Sequence, residues 1–306
     1  MINKVLSPLT EEPAKFIKNV DFSFVKQLYQ QRYGYIHPIN NVSLDKLEIW
    51  ECEQTGYRFY YPFDLSGDSN FYEYFQNFDW YYMPWKWEHD LSVQLIEKFR
   101  PIDVLEIGCA RGAFLSGLKS RFSYLRLFGL ELNKEAASFA ISTGLNVEEQ
   151  LIESFSEFNS EKFDLVCNYQ VLEHISSPKS FIENSLKCLK KGGKFIVCVP
   201  NNNSFLKYEV EEPLNYPPHH MGLWSDHSLV NLTNIFNIKL CSIHFEPVQE
   251  YHIDWYVRTI LRNYLANDIL NRAFFKIVKV LRLIKLFKPL IKKQRGHSVL
   301  VVFEKI

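Results

Sequence analysis

The run Val104-Leu105-Glu106-Ile107-Gly108-Cys109-Ala110-Arg111-Gly112-Ala113-Phe114-Leu115 reads as a buried strand, a turn of small residues and the opening of a helix. In open α/β sheets ligands bind at such a strand-to-helix turn. Gly108 supplies backbone freedom, and Gly112 removes a side chain where the backbone has to approach a ligand. The N–H groups at the helix start are free to meet an anion. Apolar runs at 104–107, 126–130, 145–148, 163–168, 194–199, 238–245 and 298–303 read as seven strands, the first five separated by helical patterns. Between the fourth and fifth, Ser177 is placed as an N-cap with Pro178 at N1, and Gly192-Gly193 end the helix after Lys190 and Lys191. Short apolar strands joined by crossover helices predict an α/β, Rossmann-like, seven-stranded and mostly parallel sheet with helices on both faces.

This alternation occupies residues 96–306; residues 1–95 are aromatic-rich and read as an N-terminal extension or cap. Within the cap, 47–50 and 57–61 flank a turn near Gly56 and predict a hairpin. From Phe71 to Phe99, Tyr72, Phe75, Trp80, Tyr81, Tyr82, Trp85 and Trp87 crowd a helical stretch interrupted at Pro84. Two readings stand for these rings: packing against the main domain, or a lid over a pocket.

Composition narrows the class. With 306 residues, 47% hydrophobic and 23% charged, the chain buries a substantial core, which excludes bulk disorder. A formal net charge of zero opposes wholesale attraction to nucleic acid. Six cysteines without paired spacing fit reduced thiols. Residues 1–20 lack an apolar signal-peptide core, and no stretch approaches ~20 uncharged apolar residues, so a cytoplasmic protein is expected.

The spacing of Gly108, Ala110 and Ala113 also loosely fits a dinucleotide fingerprint, a weak signal alone. Glu106, two residues before the first glycine, suits a ligand bearing an ammonium group better than a pyrophosphate, which it would repel. Glu131 ends the second strand, where a carboxylate accepts hydrogen bonds from ribose hydroxyls.

Over roughly residues 100–205 the chain resembles the class I S-adenosylmethionine-dependent methyltransferases, in a subgroup like the ubiquinone-pathway O-methyltransferases. Glu106 to Gly112, Glu131, Phe163-Asp164-Leu165-Val166, Val171-Leu172-Glu173-His174 and Leu189-Lys190-Lys191-Gly192-Gly193 carry the resemblance together. Ala110 stands where the family usually has glycine. The resemblance implies S-adenosylmethionine as cofactor. Glu106, Gly108 and Gly112 would hold its methionine part beside Cys109 and Ala110, Glu131 with Leu132 the ribose, and Asn168 would line the pocket. The adenine contact is expected near 151–153.

A sulfonium methyl is already activated, so the enzyme mainly aligns an acceptor and excludes water. For a hydroxyl acceptor a positioned base helps, and histidine is the usual group. His174 is one candidate catalytic residue, with a structural hydrogen bond as the competing reading. Similar segments in ubiquinone-pathway enzymes can bind a divalent cation, but Gln170 replaces their third ligand, a carboxylate, and no metal is assigned. The stiff loop Asn215-Tyr216-Pro217-Pro218-His219-His220-Met221-Gly222-Leu223-Trp224 supplies His219 and His220 as further candidates, against plain packing. It resembles a loop of some bacterial methyltransferases encoded with sugar-modifying enzymes.

Before the last strand, residues 248–297 form a helical insertion, basic and acid-free from Arg272 to Arg295. It suits peripheral contact with an anionic membrane or lipid carrier. Cations at steps of three, however, drift ~60° per step round a 3.6-residue helix, and Pro289 is expected to break it, so packing on the core competes. The expected activity is O-methylation of a sugar, glycan precursor or lipid-linked small molecule. A nicotinamide-dependent oxidoreductase and a non-catalytic binding module are the alternatives. RNA is the least favoured partner.

Overall fold

The computed structural model of the chain describes residues 4–36, 46–78, 80–265, 275–277 and 283–306. The cap begins with β1 (Lys15–Asp21) and α1 (Phe22–Tyr33). Asp21 caps α1 by accepting from the Ser23 N–H at 2.8 Å, and Gly34 closes it at φ 71°. The predicted hairpin forms from β2 (Lys46–Glu51) and β3 (Arg58–Tyr61), with Gly56 at φ 71° in its turn. Then come α2 (Ser69–Phe75), capped by Asp68, and α3 (Trp87–Phe99), which crosses the boundary expected at residue 96.

The second part alternates β4 (Asp103–Ile107), α4 (Ala113–Arg121), β5 (Arg126–Leu130), α5 (Lys134–Ser142), β6 (Val147–Glu148), α6 (Ile152–Phe158), β7 (Phe163–Tyr169), α7 (Pro178–Cys188) and β8 (Leu189–Pro200). It continues with β9 (Gly222–Leu223), α8 (Asp226–Val230), β10 (Ile238–Pro247), α9 (Ile253–Tyr264), α10 (Leu283–Ile291) and β11 (Arg295–Lys305). All seven predicted strands are present, in the order β10-β11-β8-β7-β4-β5-β6. β4 to β8 pair in parallel, whereas β11 runs antiparallel to both neighbours. β4 is buried along its whole length, the carboxylates of Asp103 and Glu106 included. At its start, Asp103 takes both Arg126 nitrogens at 2.6 Å and Lys190 at 3.1 Å, tying three strands at the end opposite the Gly108 turn.

Two expectations are corrected. α7 ends at Cys188, so Lys190 to Gly193 belong to β8 and its bulge rather than to the helix end. α10 runs through Pro289 to Ile291 instead of breaking there. Of the basic stretch, Arg272, Lys279 and Arg282 lie outside the described residues. Lys288 and Lys292 pair with Glu250 at 2.5 and 3.0 Å.

The cap forms its own sheet, β1-β2-β3-β9, whose last strand comes from the far side of the chain. Around it Phe22, Val25, Tyr29, Phe71 and Phe75 bury a separate aromatic core that reaches Tyr216 and Met221.

Candidate active site

The strand order of the main sheet reverses beside β4, leaving a crevice at the carboxyl ends of β4 and β7. A cavity of about 2330 Å³ opens there. Glu106 at the end of β4 and Glu131 just past β5 both line it. Had they faced apart, the cofactor reading would have failed. Glu106 is buried, and its Oε2 has no hydrogen-bond partner. Burial, reinforced by the nearby Glu131 carboxylate, pushes its carboxyl up to about 8. Glu131 accepts from the Ala110 N–H and the Asn133 N–H, each at 2.8 Å, so it braces the turn while facing the cavity. Its acidity is also weakened, by desolvation.

Gly108, Cys109, Ala110 and Leu132 line the cavity, and so do Leu151, Ile152 and Glu153, where the adenine contact is expected. Gly112 does not. A Cβ there would lie 2.3 Å from Leu145 Cδ1 and 3.2 Å from the Ala140 Cβ, so this glycine admits close packing of the turn on α5 and its following loop, not a ligand. Gly108 likewise makes room for Val171, whose Cγ2 would lie 2.4 Å from any Cβ at this position. Asn168 is fully buried and absent from the cavity wall, because β7 runs one residue further than predicted and Tyr169 and Gln170 emerge instead.

In the same cavity His174, His219 and His220 come together, one ring nitrogen of each within 4.8 Å of the others. His174 Nδ1 lies 2.6 Å from the His219 carbonyl, His219 Nδ1 3.0 Å from the Leu214 carbonyl, and His220 Nδ1 3.2 Å from Asn215 Oδ1. Burial holds His174 down to about 4 and the other two well below the usual range, so all three rings are neutral at pH 7. Glu173 beside them is buried with neither carboxylate oxygen partnered, and burial raises it to about 8.

The cap fixes this loop. The Tyr29 hydroxyl donates to the Tyr216 carbonyl at 2.9 Å and that of Tyr60 to the Asn215 carbonyl at 3.0 Å. Tyr81 meets His219 Nε2 at 3.1 Å, and Trp224 stacks on Tyr57 at 4.1 Å. Of the expected rings, Tyr72, Trp80, Tyr81 and Tyr82 line the cavity, whereas Phe75 sits in the cap core and Trp85 packs over Gly117 of α4. The aromatic stretch thus divides between packing and the cavity wall.

Sequence reasoning missed a second polar corner of the cavity, formed by Glu88, Gln170, Glu246, His297 and Ser298. Gln170 Nε2 donates to Ser298 Oγ at 3.2 Å and to Glu88 Oε1 at 3.4 Å. Glu246 accepts from the Ser298 N–H at 2.8 Å, and its carboxyl is raised to about 7 by burial. These groups come from α3, the end of β7, β10 and β11, and no local motif joins them.

Residues 80–266, more than half of the chain, match the family model described as a methyltransferase domain. The chain belongs to the class I S-adenosylmethionine-dependent methyltransferases. S-adenosylmethionine is this family's cofactor, and the unpartnered Glu106 oxygen beside the Gly108 turn fits its ammonium group. The oxidoreductase alternative falls with this assignment. Among curated methyltransferase relatives, the mitochondrial ubiquinone biosynthesis O-methyltransferase of Dictyostelium discoideum is 32% identical over 122 residues, 35% of this chain and 37% of that protein. The ubiquinone biosynthesis O-methyltransferase of Aliivibrio fischeri (strain ES114) is 30% identical over 106 residues, 33% of this chain and 44% of that protein. The matches thus span less than half of these relatives' length. The plantazolicin methyltransferase BpumL, solved with S-adenosylhomocysteine, shares the fold at TM-score 0.51 and 16% identity, over 78% of this chain and 92% of its own. A Thermotoga maritima methyltransferase, described as a possible histamine N-methyltransferase, does so at TM-score 0.50 and 16% identity, over 78% and 97%. Among the described residues no helix is long and apolar enough to cross a membrane.

Proposed function

We propose that the protein transfers the methyl group of S-adenosylmethionine to a hydroxyl oxygen of a polar small molecule: a sugar, a glycan precursor or a lipid-linked small molecule. The observation that carries this is the placement of the Glu106–Glu131 pair and the three histidines on the wall of one cavity. In this reading Glu106 takes the ammonium group and Glu131 the ribose hydroxyls. The histidines face the acceptor, where a neutral imidazole accepts the hydroxyl proton. As the new C–O bond forms, the C–S bond breaks and S-adenosylhomocysteine leaves. The polar corner of Glu88, Gln170, Glu246 and His297 supports an acceptor with several hydroxyls, and the ubiquinone-pathway relatives support oxygen as the acceptor atom.

Peripheral membrane contact belongs to the same proposal. On α10, Leu286, Phe287 and Leu290 are exposed on one side, with Lys285 and Lys293 beside them, a pattern suited to an anionic surface.

Calorimetric titration with S-adenosylhomocysteine is the first test; no binding overturns the cofactor roles. The second offers labelled S-adenosylmethionine with nucleotide sugars and lipid-linked precursors to wild type, His174→Ala and His219→Ala. Label should enter a methyl ether with wild type and fall sharply in the variants at unchanged cofactor affinity. Unchanged turnover in both variants defeats the histidine roles.

A further inference from the structure

We propose that His174, His219 and His220 form a three-nitrogen site for one divalent transition-metal ion of the zinc or cobalt type. Convergence of three ring nitrogens within 4.8 Å is the first ground. The second is their hydrogen bonding. Each Nδ1 faces an oxygen acceptor, two main-chain carbonyls and Asn215 Oδ1, which assigns the proton to Nδ1 and leaves the Nε2 lone pair as the donor. Metal-binding histidines are held in this way, by acceptors that fix tautomer and ring direction.

Those acceptors are themselves fixed. Asn215 donates its Nδ2 to Asn202 Oδ1 at 3.2 Å, which sets its amide orientation, and Tyr29 and Tyr60 hold the flanking carbonyls of the loop. The third ground is Glu173, buried next to His174 with both oxygens unpartnered. Three uncharged rings and one unpartnered carboxyl are costly to bury for packing alone, but they suit a cation.

The donor set is nitrogen-based and differs from the one that the position of Gln170 would complete, since Gln170 is turned toward Glu88 and Ser298. Imidazole donors favour zinc, cobalt, nickel, copper or iron over magnesium and calcium. Three protein ligands leave a position for an oxygen from water or substrate, as in catalytic zinc sites. The Tyr81 phenol now occupies His219 Nε2 and has to move off it when the ion binds. The use of the ion rests on the O-methyl transfer proposed above: it would bind the acceptor hydroxyl and ease loss of its proton to water, the metal-bound rings then holding the ion instead of taking that proton themselves. Metal binding itself does not rest on that reading.

The test uses the full chain, dialysed against a chelator and then titrated with Zn²⁺ or Co²⁺, with bound metal counted by mass spectrometry and Co²⁺ followed by its visible absorption. One ion per chain is expected, bound about 100-fold or more weakly by His219→Ala and His220→Ala and about tenfold more weakly by Asn215→Ala. Tyr81→Phe should bind at least as tightly as wild type. S-adenosylhomocysteine titration on each sample reports whether the variant is folded, and His219→Gln replaces any that is not. Absence of uptake by the wild type, or wild-type affinity in folded His219 and His220 variants, overturns the site. If the wild type takes up no metal while S-adenosylhomocysteine binds and methyl transfer proceeds, the site falls and the proposed function stands. Stoichiometric metal binding without transfer to any acceptor keeps the site and removes the function.

Discussion

Ala110 adopts φ 46°, in the left-handed region where a Cβ is strained, at the position where the family usually carries glycine. Its N–H is committed to Glu131, so the turn keeps this conformation despite the methyl group. Ala110→Gly should therefore raise the unfolding free energy by about 1 kcal/mol in a denaturant titration; an unchanged or lower midpoint refutes the strain. Glu106 gives a second prediction. Its carboxyl titrates near 4.5 when unfolded and near 8 when folded, so the folded chain holds more protons between those values. Stability contributed by this group is full below about pH 4.5 and is lost as pH rises toward 8. Glu106→Gln removes that loss, so its melting temperature should gain on wild type from pH 5 to pH 8. Because a cationic ligand needs the ionised form, wild-type affinity for S-adenosylhomocysteine should climb over the same interval, and the variant should bind weakly at both ends. A constant difference between the two proteins, measured by thermal denaturation and calorimetry, contradicts this.

At the level of elements, the strands were legible because parallel strands covered on both faces must be apolar along their length. The turn after β4 was legible as well, but not the job of each glycine. Gly112 sits at φ 74° against Leu145 and Ala140, so its requirement is steric and internal. Gly112→Ala should cost about 2–4 kcal/mol of stability, read from denaturant unfolding, through overpacking and backbone strain together. A loss of cofactor affinity at unchanged stability would restore the ligand-approach reading. Asn168 was misplaced because the end of β7 lies one residue later than the apolar run suggests, which leaves Asn168 inside the strand and Tyr169 and Gln170 at its mouth. Glu88, Glu246 and His297 were invisible for another reason: only the folded sheet brings α3, β10 and β11 to one corner. That His219 and His220 share one stiff loop was legible, whereas the tyrosines that hold that loop, distant in sequence, were not.

For the molecule as a whole, the exposed apolar side of α10 sets the remaining prediction. Wild type should float with anionic vesicles, and Leu286→Ser/Phe287→Ser/Leu290→Ser should stay in the pellet with its circular dichroism unchanged. Wild type left in the pellet ends the membrane proposal. The four-stranded cap sheet has a different implication. β9 follows soon after the paired histidines and hydrogen-bonds to β3, while Tyr29 and Tyr60 grip the loop just before them. Two stretches far apart on the chain therefore behave as one cassette. A chimera that imports a foreign 215–224 loop without residues 15–61 inherits a lock with the wrong key, so the loop and the cap that holds it have to be exchanged together.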